Sequence, residues 1–200
     1  MYRDMRRQDR VLTKKEAMEL LESGKYGVLA LNGKDGYPYG VPMHYAVMNG
    51  KIYMHSTREE SLKAECIAAN PKVSFTVIHP VEGMKSKSVI VFGTCAVVPE
   101  LRGEVLEAMI EKFIPEIVWP QVKAGVPFAK ENITAFEITI DHISGKVVDK
   151  PENKNTWLVA VECLHLDLRK LHPVRLRKMQ KYTPFAPRKI ILSKLNIIPK

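Results

Sequence analysis

The chain of 200 residues can bury one substantial core, and its 46% apolar and 26% charged residues exclude a wholly disordered protein. No apolar run approaches the roughly 20 residues that span a bilayer, and the first residues lack the apolar stretch of a secretory signal, so we expect a cytoplasmic protein. The net charge of +9 lies mostly at the end, where residues 151–200 hold 11 Lys or Arg against three acids.

The first predicted element is a helix that starts at a capping box, in which Thr13 is followed three residues later by Glu16. Apolar residues then recur on one face until Gly24, which we expect to end the helix in the left-handed conformation. A strand follows over residues 26–31, and a glycine-containing turn over residues 32–36 leads into the next strand.

The second predicted strand, over residues 37–48, contains Pro38 and Pro42. Proline cannot donate to a ladder, so part of this strand cannot be a fully paired central strand. Its backbone is therefore available to another binding partner. Asn49 and Gly50 form a strong hairpin signal that leads into a third strand over residues 51–55.

The remaining residues alternate between helical and strand patterns. In chain order we predict a helix over 58–70, strands over 72–78 and 88–98, a helix over 104–113, a loop over 115–130 and a last strand over 133–143. Six strands with flanking helices and mostly short turns indicate an α+β fold with antiparallel pairing. Closure of this sheet into a small barrel would remove its exposed edges. We expect a barrel domain over residues 1–150 and a basic, partly helical extension over 151–200.

Several catalytic signatures are absent from the sequence. It has no phosphate-binding loop, dinucleotide-binding glycine motif, nucleophile elbow or zinc helix, and neither its three cysteines nor its histidines have metal-ligand spacing, so we predict no metal site. What remains is the end of the third strand, which enters a helix whose first turns carry Ser61 and Lys63. Such a helix start can bind an anion, although serine before a helix is more often a simple cap.

A series of segments resembles the pyridoxamine phosphate oxidase-like split barrels, and most closely the nitroimidazole-resistance (Nim) flavoproteins. These segments are residues 5–31, 35–47, 50–56, 70–77, 87–98 and 138–146, and they occur in the order seen in that family. The resemblance spans residues 3–147. It implies a six-stranded Greek-key split barrel that forms a homodimer with FMN at the interface between the subunits.

The resemblance also implies particular site residues. The flavin ring would lie against Tyr39, Gly40, Val41, Pro42, Met43 and His44, the phosphate would lie at Ser56, Thr57 and Lys63 with Leu62 covering it, and Lys87 and Ser88 would contribute from a later strand. Glu59 and Glu60 precede the lysine, and they would oppose a phosphate dianion unless they face solvent.

The matching Nim position beside the flavin is His55, where a histidine can orient a substrate or donate a proton as the catalytic residue. The alternative is a half-buried strand histidine that donates to a backbone carbonyl.

Two functions remain open from the sequence. The first is an FMN-dependent oxidoreductase that takes electrons from a reduced donor and passes them to a small electrophilic or nitroaromatic substrate. The second is a non-enzymatic module that holds a flavin or a haem. The basic extension could contact nucleic acid or an anionic membrane, but we favour a solvated appendage because no recognised nucleic-acid motif accompanies its charge.

Overall fold

The computed structural model describes residues 2–57, 61–80 and 85–148, with Pro80 described only in its backbone. The predicted extension over 151–200 therefore lies outside the described residues, as do Glu59 and Glu60. Within the described part, no helix is both long and apolar enough to cross a membrane.

The described residues form eight strands and five α-helices. The strands are β1 (Val11–Leu12), β2 (Tyr26–Asn32), β3 (Pro38–His44), β4 (Ala46–Met48), β5 (Lys51–Ser56), β6 (Lys72–Pro80), β7 (Ser86–Val97) and β8 (Thr134–Val148). The helices are α1 (Lys14–Ser23), α2 (Leu62–Ala69), α3 (Arg102–Phe113), α4 (Trp119–Lys123) and α5 (Val126–Ala129).

All strands belong to one antiparallel sheet in the order β3-β2-β6-β7-β8-β5-β4, and β1 pairs with β8 beside this path. The two strands at the ends of the order, β3 and β4, are consecutive in the chain and separated only by Tyr45. The sheet must therefore curl until its ends meet. This confirms the predicted antiparallel barrel with flanking helices, with short β1 as an additional strand.

Tyr45 explains why the predicted strand over residues 37–48 is divided in two. Tyr45 and Ala46 are both buried, so the in-and-out alternation of a continuous strand is interrupted here. The Tyr45 hydroxyl donates a 2.5 Å hydrogen bond to the Leu21 carbonyl of α1, and its ring packs edge-on against Phe75 at 4.9 Å. These contacts fix the point at which the chain passes from β3, beside β2, to β4, beside β5.

Helix α1 begins as predicted, since Thr13 and Glu16 make both hydrogen bonds of the capping box. The prediction for Gly24 is wrong, because its φ of −68° is extended rather than left-handed. A Cβ at Gly24 would collide with the Tyr45 hydroxyl and approach the Val77 and His79 side chains within 3 Å. This position therefore requires glycine for close packing and not for a turn.

The core lies between the curled sheet and helices α1 and α2. Its largest fully buried side chains include Tyr45, Phe75, Phe136, Leu21, Leu29, Ile52, Met54 and Ile138. Cys66 and Cys95 are buried free thiols within this cluster. The predicted loop over 115–130 differs from expectation because it contains α4 and α5, and Trp119 anchors it by donating a 2.9 Å hydrogen bond to the Ile114 carbonyl.

Candidate functional site

Three elements bring predicted site residues together at one end of the barrel. The ladder between β4 and β5 pairs Ala46 with Tyr53, and His44 and His55 each lie two residues beyond this pair along their own strands. Helix α2 follows β5 and carries Lys63 in its first turn. The charges of His44 and Lys63 both act on the His55 imidazole, so both side chains lie near it.

His55 is half-buried, and its Nδ1 atom is buried without a hydrogen-bond partner among the described residues. The sequence-based alternative, in which a backbone carbonyl satisfies His55, is therefore not seen at this nitrogen. Burial is the largest cause that lowers the pKa of His55, and the charges of His44 and Lys63 lower it further. In the protein without a ligand, this imidazole consequently favours its neutral form.

Lys63 supplies the positive charge of the site. Ser61 begins α2 as an ordinary cap, because its hydroxyl accepts a 3.3 Å hydrogen bond from the Ala64 N–H. Lys63 is half-buried, its Nζ lies 6.0 Å from the centre of the Phe136 ring, and burial lowers its pKa. An anionic ligand would offset this desolvation, because an opposite charge favours the protonated amine.

His44 occupies an aromatic niche that joins two further elements to the site. Its ring lies 4.6 Å from that of Tyr26 on β2 and 4.9 Å from that of Phe113 on α3, with Phe113 edge-on at 88°. Sequence reasoning missed Phe113, which looked only like part of the apolar face of α3. No local pattern links positions so far apart in the chain.

Strand β3 is the first strand of the sheet order and pairs only with β2. In an antiparallel pair, alternate residues direct their backbone groups toward and away from the neighbouring strand. Pro38 and Pro42 have no N–H to donate, so an intact ladder requires their backbone groups to point away from β2. Gly40 and His44 are even-numbered steps from these prolines along the strand, so their backbone groups point away from β2 as well. The outer edge of β3 thus offers backbone groups at Gly40 and His44 to a ligand.

The other predicted site residues fall into two groups. Ser56 and Thr57 directly follow His55, and Leu62, which is exposed over 52% of its surface, opens α2 beside Lys63. Lys87 and Ser88 instead pair with Val147 and Lys146, whereas His55 pairs with Ala135. These partners stand at opposite ends of β8, so a single chain does not bring Lys87 and Ser88 to the His55 end.

Tyr39, Val41 and Met43 turn toward the core from β3, whereas Gly40, Pro42 and His44 are exposed. The predicted ring-binding strand therefore presents only alternate side chains to a ligand on its outer surface. Across the described ranges, no group of three or more His, Cys, Asp or Glu side chains is arranged to hold a metal ion.

Comparisons with known proteins bear on this site. A sequence model described as pyridoxamine 5′-phosphate oxidase matches residues 13–147. No curated protein sequence matches the chain. Among solved structures, a FAD-binding protein from Mesorhizobium loti is similar with 29% identity and a TM-score of 0.54, over 70% of this chain and 98% of that one.

Two further structures share the fold. A protein from Bacteroides thetaiotaomicron that is assigned to 5-nitroimidazole antibiotic resistance is 21% identical with a TM-score of 0.57, over 68% of this chain and 86% of that one. The FAD and heme binding protein from Mycobacterium smegmatis is 18% identical with a TM-score of 0.61, over 76% and 80%. Because the family match covers well over half of the sequence, the chain belongs to the pyridoxamine 5′-phosphate oxidase family.

Proposed function

We propose that the protein binds FMN at the end of the barrel formed by β3, β5 and α2, and that it uses the flavin to reduce a small electrophilic or nitroaromatic compound. The observation that carries this proposal is that His44 of β3 and Lys63 of α2 both act through their charges on His55 of β5. The family membership and the 29% identical FAD-binding relative support a flavin as the ligand.

The residues at this end fit a planar anionic ligand. The His55 Nδ1 atom lacks a partner among the described residues, and a polar ligand atom would satisfy it. Lys63 would pair with the phosphate as a charge partner, with the hydroxyls of Ser56 and Thr57 beside it. The outer edge of β3 would receive the ring, where the backbone of Gly40 and His44 provides hydrogen-bonding groups next to apolar Pro42.

Bound flavin would supply hydride transfer, which no side chain of the protein can perform. The chain's own contribution is to bind and orient the flavin and to shield it from water. His55 favours its neutral form, in which one ring nitrogen donates and the other accepts a hydrogen bond. This supports a role in orienting a substrate or holding a proton at one ring nitrogen, whereas proton donation at neutral pH would need an anion to raise its pKa.

We further propose that the working form is a homodimer. The outward side chains of β2, β6 and β7 include Tyr26, Val28, Ile78, Ile90 and Phe92, each at least 40% exposed in the single chain. The strand registers place them on one side of neighbouring strands. Such an apolar face is typical of a surface covered by a partner.

A dimer would also explain the position of Lys87 and Ser88. One chain holds them at the far end of β8 from His55, so they could reach a flavin only from the second subunit. The substitution Ile78→Glu should then yield monomers with weakened FMN binding, and light scattering after gel filtration measures the mass. Ile117→Glu, at an 85% exposed isoleucine between α3 and α4, is the matched control and should stay dimeric. A monomeric wild-type protein would refute the dimer.

A visible absorption spectrum of the purified protein tests the cofactor. We expect yellow protein, or protein that turns yellow with added FMN, and bleaching of the flavin bands by NADH or NADPH in the absence of air. Chromatography of the released flavin distinguishes FMN from FAD. A haem absorption band, or a flavin that no reductant bleaches, would instead favour the binding module. Colourless protein that binds neither added FMN nor added FAD would refute the proposed function.

A further inference from the structure

Phe113 is the last residue of α3, and it joins this helix to the proposed site. Its ring lies 4.9 Å from the His44 ring at an angle of 88°, which is an edge-to-face contact. Tyr26 contacts the same imidazole at 4.6 Å, tilted by 52°. His44 itself is exposed, so without these two rings its side chain would sample several rotamers.

We propose that Phe113 is a positioning residue, whose ring holds the His44 imidazole beside His55 so that the two imidazoles and Lys63 act as one anion-binding unit. That the anion bound by this unit is a flavin phosphate rests on the proposed function. The coupling between the imidazoles is a property of the chain and can be measured without a flavin.

The position of the His44 imidazole affects the protonation of its neighbours. The charge of His44 acts on the His55 imidazole, and Lys63 of α2 is the other positive group that acts on it. Two neighbouring imidazoles disfavour double protonation, because like charges oppose each other. A bound anion would remove this conflict and allow both to be protonated. If His44 swung away, the coupling and the shared anion contact would be lost.

The test is a histidine NMR titration of the full chain without flavin, with signals assigned by His44→Gln and His55→Gln. We expect Phe113→Ala to raise the pH midpoint of His55 and to shift the His44 ring signals, because the neighbouring positive charge and the aromatic ring current are both lost. Inorganic phosphate should raise the His55 midpoint in the wild type and do so less in Phe113→Ala. Phe113→Tyr keeps the ring and should retain the wild-type titration.

Phe128 provides a matched control, because it is an exposed phenylalanine of the neighbouring α5 and has no described aromatic contact with either histidine. Phe128→Ala should leave the His55 titration and the His44 ring signals unchanged. If Phe113→Ala does not fold, Phe113→Leu preserves apolar volume but removes the aromatic edge, and it should show the same direction of change. An unaltered His55 titration together with unaltered His44 ring signals in the folded Phe113 variant would overturn the inference.

FMN binding separates this inference from the proposed function. Where FMN binds, Phe113→Ala should weaken it roughly two- to tenfold, the range expected for loss of one aromatic pair. If wild-type protein ignores FMN while the histidine coupling depends on Phe113, the proposed function fails and the positioning role stands. If FMN binds equally to both proteins and the coupling is unchanged, the positioning role fails and the flavin function stands.

Discussion

The ladder between β5 and β8 carries two polar groups that differ in how well their hydrogen-bonding atoms are satisfied. At one end, Glu137 accepts hydrogen bonds from Lys51 Nζ at 2.6 Å, from the Tyr53 hydroxyl at 2.7 Å and from the Thr139 hydroxyl at 3.3 Å. At the other end, His55 Nδ1 and Thr134 Oγ1 are buried without partners among the described residues. Only a few residues separate the two groups along the same strands.

This difference is the one expected between a structural cluster and the proposed binding site. A buried polar atom without a partner costs about 1–3 kcal/mol, so a fold that needed only stability would pair it. The Glu137 cluster meets this requirement with its own side chains. The His55 end does not, and there the charges of His44 and Lys63 both act on His55. The described residues thus leave hydrogen-bonding capacity at the end where family resemblance places the flavin.

Two lysines, one at each end, provide the sharpest test of this comparison. Lys63→Met removes the charge while retaining the apolar stem near Phe136, and we expect FMN affinity to fall roughly tenfold or more, the loss typical of a charge-assisted hydrogen bond. Lys51→Met removes a lysine that already pairs with Glu137, and it should leave FMN affinity unchanged. Fluorescence titration with FMN measures both, and equal affinities for the two variants would contradict the assignment of Lys63.

The Glu137 cluster should matter for stability and not for the flavin. Glu137→Ala leaves the Lys51 amine and the Tyr53 hydroxyl without their acceptor, so we expect a loss of about 1–2 kcal/mol in unfolding free energy. Urea denaturation of the protein without flavin measures this loss. The conservative Glu137→Gln keeps an acceptor oxygen and should lose less. Weaker FMN binding in folded Glu137→Gln would show that the two ends are not separate.

Much of the fold follows from local sequence. The capping box at Thr13 starts α1, and the Asn49-Gly50 pair takes positive φ values of 50° and 73°, as a tight hairpin between β4 and β5 requires. Pro42 correctly indicated a strand that cannot be central, because β3 pairs on one side only. Each of these signals acts over a few residues, so a sequence pattern contains it in full.

The missed features depend on contacts between distant residues. Gly24 looks like a helix cap, but its role is set by the Tyr45 hydroxyl and by side chains of β6. Phe113 has the same helical spacing as its core-facing neighbours, and only the curl of the sheet brings it to His44. The β7–β8 register, which no sequence pattern shows, holds Lys87 and Ser88 at the far end of β8 from His55 within one chain, so their part in the site stays a prediction. The periodicity of apolar residues along the chain carries no information about contacts between residues so far apart in sequence.

The smallest expected difference between the two ends is in their response to acid. Burial, with the charges of His44 and Lys63, lowers the pKa of folded His55 below its ordinary 6.5, so the unfolded chain protonates first as pH falls. The stability associated with His55 is therefore present above pH 6.5 and is lost as pH falls toward its folded pKa. His55→Gln should give a flatter dependence of unfolding free energy between about pH 7.5 and about pH 5.

Glu137 should act in a different pH window. Burial raises its pKa, but the hydrogen bonds from Lys51 and Tyr53 outweigh burial and leave the folded pKa below the ordinary 4.5. The contribution of its carboxylate is therefore complete above pH 4.5 and is lost as pH falls through the lowered value. Glu137→Gln should alter the curve only in that acidic range. Urea titrations across both windows measure the two effects, and parallel wild-type and His55→Gln curves above pH 5 would refute the burial of an uncharged His55. The two variants together would then show whether the ends of one ladder respond to protons independently, which is required if one end serves stability and the other binds a ligand.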